Sequence, residues 1–202
     1  MRKRIITISR EFGSGGHTIG KMVAEKLGIP FYDQELVEKV MASTGFDREF
    51  IHDAGEYAST VHGLVFGMAR APVFAGYGTM SYYDQIYVAQ SRIIQELAEQ
   101  EACVIVGRCS DYILHERNDC IHVFVHADKE SRAERVRNSY GNYEENDIQE
   151  RLEEKDRKRS IYYKQFTNCE WGRADHYHLT LDSGLIGLER CADWITCLAQ
   201  NE

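Results

Sequence analysis

The stretch IITISREFGSGGHTIGKMVAEKLG, residues 5–28, decides the fold. Ile5, Ile6 and Ile8 form a β-branched run of the kind a parallel strand buries. Gly13, Gly15 and Gly16 follow at once, and glycine admits the positive φ and the close backbone approach that a turn around a ligand needs. An amphipathic helix then runs to Gly28, which stops it, with Pro30 two residues beyond as expected after a C-terminus. Strand, glycine turn and helix start together aim unpaired N–H groups and the positive end of the peptide dipoles at one point, which favours an anion there. The natural ligand of such a loop is a nucleoside triphosphate with magnesium. Ser14 and Thr18 also suit the N-cap and first turn of the helix, a role compatible with binding.

Against the pattern G-x-x-x-x-G-K-[ST], the stretch has glycines but no lysine. The positive charge that the lysine delivers to the β- and γ-phosphates has to come from Arg10, from His17 or from a residue far along the chain; otherwise the site transfers phosphate poorly.

With 202 residues and 43% hydrophobic composition the chain can bury one good core, so one domain over residues 1–202 is expected. A net charge of -8 argues against a nucleic acid polymer as partner, which would demand a basic face. The basic residues are nevertheless clustered: Arg132, Arg135, Arg137, Arg151, Lys155, Arg157, Lys158 and Arg159 fall in one stretch, enough for a local anion site. The 6 cysteines show neither a C-x-x-C pair nor zinc-type spacing and read as reduced thiols. The apolar run after MRKR is far shorter than a signal peptide requires, and no stretch approaches the ~20 apolar residues of a membrane span, so a cytoplasmic protein without a membrane partner is expected. A homo-oligomer is left open.

Strand-like runs at Arg4–Ser9, Ile29–Tyr32, Ala102–Val106, Cys120–His126 and His176–Leu181 alternate with helical periodicity. This pattern predicts an α/β fold with a parallel sheet covered on both faces and ligands at the carboxyl ends of the strands. Between Asp33 and Gln100 the chain reads as mainly helical, broken by the small-residue stretch Ala71–Met80, with one long helix over Ser81–Glu101. Lys129 to Lys164 is charged and helical with Gly141-Asn142 as a turn, the pattern of a helical hairpin.

Three further places carry candidate chemistry. Tyr32 and Asp33 follow a strand, where they suit a base or ribose, although Asp33 serves equally as the cap of a helix over Gln34–Met41. Arg108 follows Gly107 at the end of a buried strand, beside the glycine loop, where its guanidinium can fork onto phosphate oxygens. Arginines of the charged hairpin are suited to supply charge to a transferring phosphoryl group, which asks little else of a protein. Against that reading, Glu153–Arg157 and Glu154–Lys158 fit the i,i+4 spacing of solvated helix pairs. His122 with His126, and His176 with His178, lie on matching strand faces, where packing is a better reading than a metal site.

With these residues in hand, the chain resembles the cytidylate kinase-like family, a branch of the P-loop nucleoside monophosphate kinases. The resemblance runs nearly end to end, through ITISREFGSGGHTIGKMVAEKLG, FYDQELVEKV, IVGRCSDYIL, KDRKRSIYYKQF and HLTLDSGLIGLE. It implies a P-loop NTPase-type three-layer fold with a five-stranded parallel sheet, a helical monophosphate-binding insert over about residues 33–100 and a helical lid over about 129–165. It also implies that Gly13, Ser14, Gly15, Gly16, His17 and Thr18 contact triphosphate, and that Tyr32 and Asp33 lie toward the acceptor nucleotide. Arg108 matches the Gly-Arg that grips acceptor phosphate, and Asp156, Arg157 and Arg159 match the lid, with Asp156 among the substrate-binding residues. With Lys26-Leu27-Gly28 setting the register, Gly16 falls at the loop lysine and Thr18 at the hydroxyl that faces magnesium. True cytidylate kinases also carry an acidic residue just after the first strand, where this chain has Ser9-Arg10.

The expected activity is transfer of the ATP γ-phosphate to CMP, dCMP or a related acceptor, with Mg2+ as cofactor and Arg108, Arg157 and Arg159 as the catalytic cations. Two other readings stand beside it: a nucleotide-binding sensor or partner-binding module with little catalysis, and a kinase for a non-nucleotide metabolite.

Overall fold

Alternation along the strands sorts the core into two layers. On β1 (Ile5–Arg10), Ile5 turns to one face of the sheet and Ile6 and Ile8 to the other. The computed structural model describes residues 5–54, 80–140 and 145–200. In chain order β1 is followed by α1 (Gly16–Leu27), β2 (Phe31–Tyr32), α2 (Gln34–Thr44), α3 (Arg48–Ala54), α4 (Tyr82–Gln100), β3 (Cys103–Val106), α5 (Ser110–Ile113) and β4 (Cys120–His126). Then come α6 (Lys129–Tyr140), α7 (Glu145–Thr167), a 3-10 turn at Ala174–His176, β5 (Leu179–Asp182), α8 (Ser183–Ile186) and α9 (Leu188–Gln200).

The five strands are all parallel in the order β2-β3-β1-β4-β5, as the alternation of strand and helix predicts. β1 is central, with Ile5 opposite Cys103 on β3 and Cys120 on β4. Cys103 and Ile105 join Ile5 under α2, α3 and α4, where Leu36, Val40, Ile51, Ile86, Ile94 and Leu97 close one core. Val104, Val106, Val123 and Val125 join Ile6 and Ile8 under α1 and α9, whose Ile19, Val23, Ala192 and Ile195 close the other. The result is the expected three-layer α/β architecture. The chain leaves β1 for the edge strand β2, comes back to β3 on one side of β1 and then crosses to β4 on the other, which opens a crevice at the carboxyl end of β1.

The edge strands are shorter than the sequence suggests. The Ile29 N–H bonds back to Ala24 O in the C-terminal cap of α1, and Pro30 has no N–H to offer, so pairing with β3 starts at Phe31. On the other edge, the His176–Leu181 run opens in the 3-10 turn and pairs with β4 only from Leu179. Helix α4 starts on a capping box between Ser81 and Asp84 and extends as expected to Gln100. The break expected at 71–80 lies, apart from Met80, outside the described residues, as does the Gly141-Asn142 turn.

The charged segment does form two helices. α6 and α7 pack through Ala133, Val136, Ile148 and Leu152, and Phe12 from the glycine loop packs against that cluster. Of the two expected helix pairs, Glu154–Lys158 forms at 2.5 Å, whereas Glu153 reaches across to Lys129 on α6 at 2.6 Å. Among the described residues no helix is long and apolar enough to cross a membrane.

Candidate phosphate-binding site

Two left-handed glycines shape the loop between β1 and α1. Gly13 has φ 78° and Gly15 φ 81°, values that side chains rarely adopt. A Cβ at Gly13 would lie 3.0 Å from the Arg132 carbonyl oxygen, and one at Gly15 would lie 2.5 Å from Leu188 Cδ2. Gly15, not Ser14, is the cap of α1. Ser14 is fully buried; its hydroxyl donates to Glu11 O at 2.8 Å, and its carbonyl accepts from Ser183 Oγ at 2.6 Å and from Arg135 Nη1 at 3.2 Å. It therefore anchors the loop to the start of α8. Gly16, His17 and Thr18 form the first turn of α1, whose N–H groups have no partner within a helix, and His17 and Thr18 are exposed.

Arginines brace the underside of the loop. Arg135 donates to Gly13 O, Ser14 O and Ser183 O, which joins α6, the loop and α8. Arg132 is buried; its Nη1 donates to Phe12 O at 3.1 Å and pairs with Asp156, while its Nε lies 3.5 Å from Glu11. Asp156 also accepts the Phe12 N–H at 2.7 Å. The resemblance sets Asp156 with the substrate; the structure puts its carboxylate under the loop. Arg159, also buried, donates to Arg10 O at 3.2 Å, with its Cζ 5.9 Å from the Phe12 ring centre and that of Arg151 at 5.8 Å. Arg157 is exposed on the same helix, so the two lid arginines named from sequence face different surroundings.

On the other side of the crevice, His17 Nε2 lies 3.3 Å from Asp33 Oδ2 and meets the Phe31 ring edge-on. Asp33 occupies the cap position of α2 but makes no side-chain cap bond there. Tyr32 is buried, and its hydroxyl donates to Glu101 at 2.6 Å; burial and that carboxylate push its pKa up. The Tyr32 hydroxyl thus ties β2 to the end of α4.

At the end of β3, Gly107, Arg108 and Cys109 are left-handed in succession, with φ 74°, 60° and 54°. For a residue with a Cβ this conformation costs about 1–2 kcal/mol, and here two such residues adopt it side by side. The Gly107 N–H donates to Ile8 O, which fixes this turn against β1. Arg108 is only 3% exposed; Nη1 donates to Ile51 O at 3.2 Å, and Nε has no partner among the described residues. A buried guanidinium with so few acceptors is costly unless an anion completes it. Nearby, Asp111 on α5 accepts from Ser9 Oγ at 3.2 Å and from Tyr163 of α7 at 2.8 Å. Burial pushes its carboxyl up, while those bonds hold it down. An acidic group thus meets Ser9 near the end of β1, arriving from the end of β3.

Sequence reasoning overlooked Asp111, Arg135 and Ser183. Arg135 stood only as one of a basic run, and the other two sit in the quoted blocks IVGRCSDYIL and HLTLDSGLIGLE without a role. Their partners are far along the chain, Ser183 meeting Ser14 across 169 positions, and no local pattern reports such pairs. The histidines pair differently from the expected His122 with His126 and His176 with His178: His122 and His178 stack at 5.0 Å, and Thr7 Oγ1 lies 2.8 Å from His122 Nδ1.

A parallel five-stranded sheet, a glycine loop opening onto a helix and arginines around it define a P-loop kinase-type fold. Solved structures agree. The chain is similar to an uncharacterized protein from Eubacterium ventriosum (26% identity, TM-score 0.73, covering 98% of this chain and 99% of that one). It shares its fold with shikimate kinase from Bacteroides thetaiotaomicron (15% identity, TM-score 0.57, 98% of each chain). A gluconokinase from Sinorhizobium meliloti does so too (18% identity, TM-score 0.53, 100% of this chain and 97% of that one). No curated protein matches. The model of the cytidylate kinase-like family matches residues 5–185, and the chain belongs to that family. It is accordingly a nucleotide-binding protein of the kinase type.

Proposed function

We propose that the protein binds ATP with magnesium at Gly13–Thr18 and moves the γ-phosphoryl group to a nucleoside monophosphate, with CMP or dCMP as the favoured acceptor. The observation that carries this reading is Arg108: a buried guanidinium whose Nε has no partner among the described residues, held in a strained turn beside the loop. Two phosphate-binding places, one on each side of the end of β1, are what transfer between two phosphates requires.

The donor set fits the expected ligands. First-turn N–H groups, which have no partner within the helix, suit the β- and γ-phosphates. Among the described residues no group of three or more His, Cys, Asp or Glu side chains is arranged to hold a metal ion. Magnesium that arrives on phosphate oxygens needs few protein ligands, and the exposed Thr18 hydroxyl would be one of them. When bound, the ion supplies charge neutralisation at the phosphates. Arg108 orients the acceptor phosphate, His17 and Asp33 line the way to it, and Arg157 and Arg159 bring charge from the lid helix.

A coupled assay over the common nucleoside monophosphates, extended to non-nucleotide acceptors such as shikimate, tests the reading. CMP or dCMP should give the highest kcat/KM. Binding of ATP–magnesium with no turnover on any acceptor would replace the kinase with the sensor. Arg157→Ala should lower kcat more than it raises the acceptor KM, and an unchanged kcat removes Arg157 from the reaction.

A further inference from the structure

We infer that Arg10 is the phosphate-binding cation of the loop and stands in for the lysine that position 16 lacks; this rests on the kinase reading above. If Gly15-Gly16 takes the place of the G-K pair in G-x-x-x-x-G-K, the first glycine of the pattern falls on Arg10. Glycine and cation have exchanged positions.

The structure gives this exchange a steric basis. A Cβ built on Gly16 would lie 2.6 Å from Arg10 Cβ and 2.9 Å from Arg10 Cγ. The Arg10 stem thus fills the space through which a lysine at 16 would leave the backbone. Beyond Cγ, arginine has as many bonds to its terminal nitrogens as lysine has beyond Cβ, so the two cations have similar reach from origins 2.9 Å apart. Arg10 is the last residue of β1, at the carboxyl edge where α/β sheets hold ligands, and Arg159 fixes its carbonyl. Arg132, which holds Asp156 and Phe12, and Arg135, which holds the carbonyls of Gly13 and Ser14, brace the loop from its underside.

During transfer, the bond from the γ-phosphorus to the β–γ bridging oxygen breaks as an oxygen of the acceptor phosphate bonds to that phosphorus. ADP leaves and no proton has to move. Charge stays on the β- and γ-oxygens throughout, and a guanidinium fork can hold two of them where lysine offers a point charge.

The test relocates the charge. Arg10→Met keeps a stem over Gly16 and removes the cation; it should weaken calorimetric ATP–magnesium binding about ten- to a hundredfold and lower kcat about a hundredfold or more. Arg10→Lys should recover most of both. Gly16→Lys alone forces two stems into one space and should lower the thermal midpoint. Arg10→Gly/Gly16→Lys should restore the midpoint and bring ATP affinity to within about tenfold of wild type. The inference is overturned if Arg10→Met binds ATP–magnesium like wild type, or if a double variant with native circular dichroism binds it no better than Arg10→Gly. Wild type that binds ATP–magnesium but phosphorylates no acceptor overturns the kinase reading instead, and the binding comparison still decides the role of Arg10.

Discussion

Replacing Gly15 with alanine separates two causes that the loop geometry combines. Gly28 supplies the reference: its φ is +64°, and a Cβ there meets nothing within 4 Å, so Gly28→Ala carries only the left-handed backbone penalty of about 1–2 kcal/mol. At Gly15, with φ +81°, the same penalty applies, and the new methyl group also falls 2.5 Å from Leu188 Cδ2, more than an ångström inside ordinary carbon contact. Overpacking of that kind adds about 1–3 kcal/mol, so Gly15→Ala should cost about 2–5 kcal/mol. For a chain of this length that is a fall of about 5–15 °C in thermal midpoint. Leu188→Ala opens the space without relieving φ. The double variant should therefore recover about 1–3 kcal/mol relative to additivity, while the Gly28-sized cost remains. Equilibrium unfolding in urea of wild type, the three single variants and the double variant measures each quantity. Gly15→Ala costing no more than Gly28→Ala, or strict additivity with Leu188→Ala, would refute the reasoning. ATP–magnesium binding by the double variant adds a functional reading: the first-turn N–H groups depend on the Gly15 backbone, so affinity should stay low even where packing is repaired.

Asp156→Ala removes the acceptor of the Phe12 N–H and the carboxylate beside buried Arg132, leaving Arg132 with Glu11 and Phe12 O among the described residues. A loss of about 2–4 kcal/mol is expected in urea unfolding, with Asp156→Asn, which still accepts from Phe12, costing less; wild-type stability of the alanine variant would remove Asp156 from the bracing of the loop. Asp111 predicts a pH dependence of definite sign. Its carboxyl is raised from the ordinary 3.8 by burial, so above that pH the unfolded chain gives up this proton while the folded chain keeps it. Stability falls with pH across the window from 3.8 to the raised value, because the native state there binds more protons. Unfolding free energies of wild type and Asp111→Asn, compared from pH 4 upward, should converge at the acid end and shift in favour of the variant as pH rises; a constant difference would show that burial does not govern this carboxyl.

The sheet was legible because its signals are local. Runs such as Ile5–Ile8 and Cys103–Val106 carry their strand state in composition, and Gly28 carries a helix stop in one residue. The glycine loop was legible for the same reason. What the sequence hid depends on distance or on a competing bond. Ser14 looked like a cap until its hydroxyl was seen turned back to Glu11, with Gly15 taking the cap position. Tyr32 looked available to a ligand until Glu101, 69 positions away, took its hydroxyl. Asp156 and Arg159 were legible as members of a charged helix, but not as partners of Phe12 N–H and Arg10 O.

Those long-range bonds share one element. Asp156 and Arg159 hold the loop, while Tyr163, further along the same helix, donates to Asp111 beside the Arg108 turn, and Tyr162 lies close enough to feel the Arg108 charge. Seven residues separate Asp156 from Tyr163, close to two helical turns or about 10 Å, and over that length an α-helix is stiff. A single rigid rod therefore contacts both the glycine loop and the turn that carries Arg108. Displacement of α7 moves both contacts together, since the bonds to Phe12 and to Asp111 leave the same backbone. Strain in the Arg108–Cys109 turn is held from two sides, by the Gly107 N–H bonded to Ile8 O of β1 and by the Tyr162–Tyr163 pair packed on Cys109.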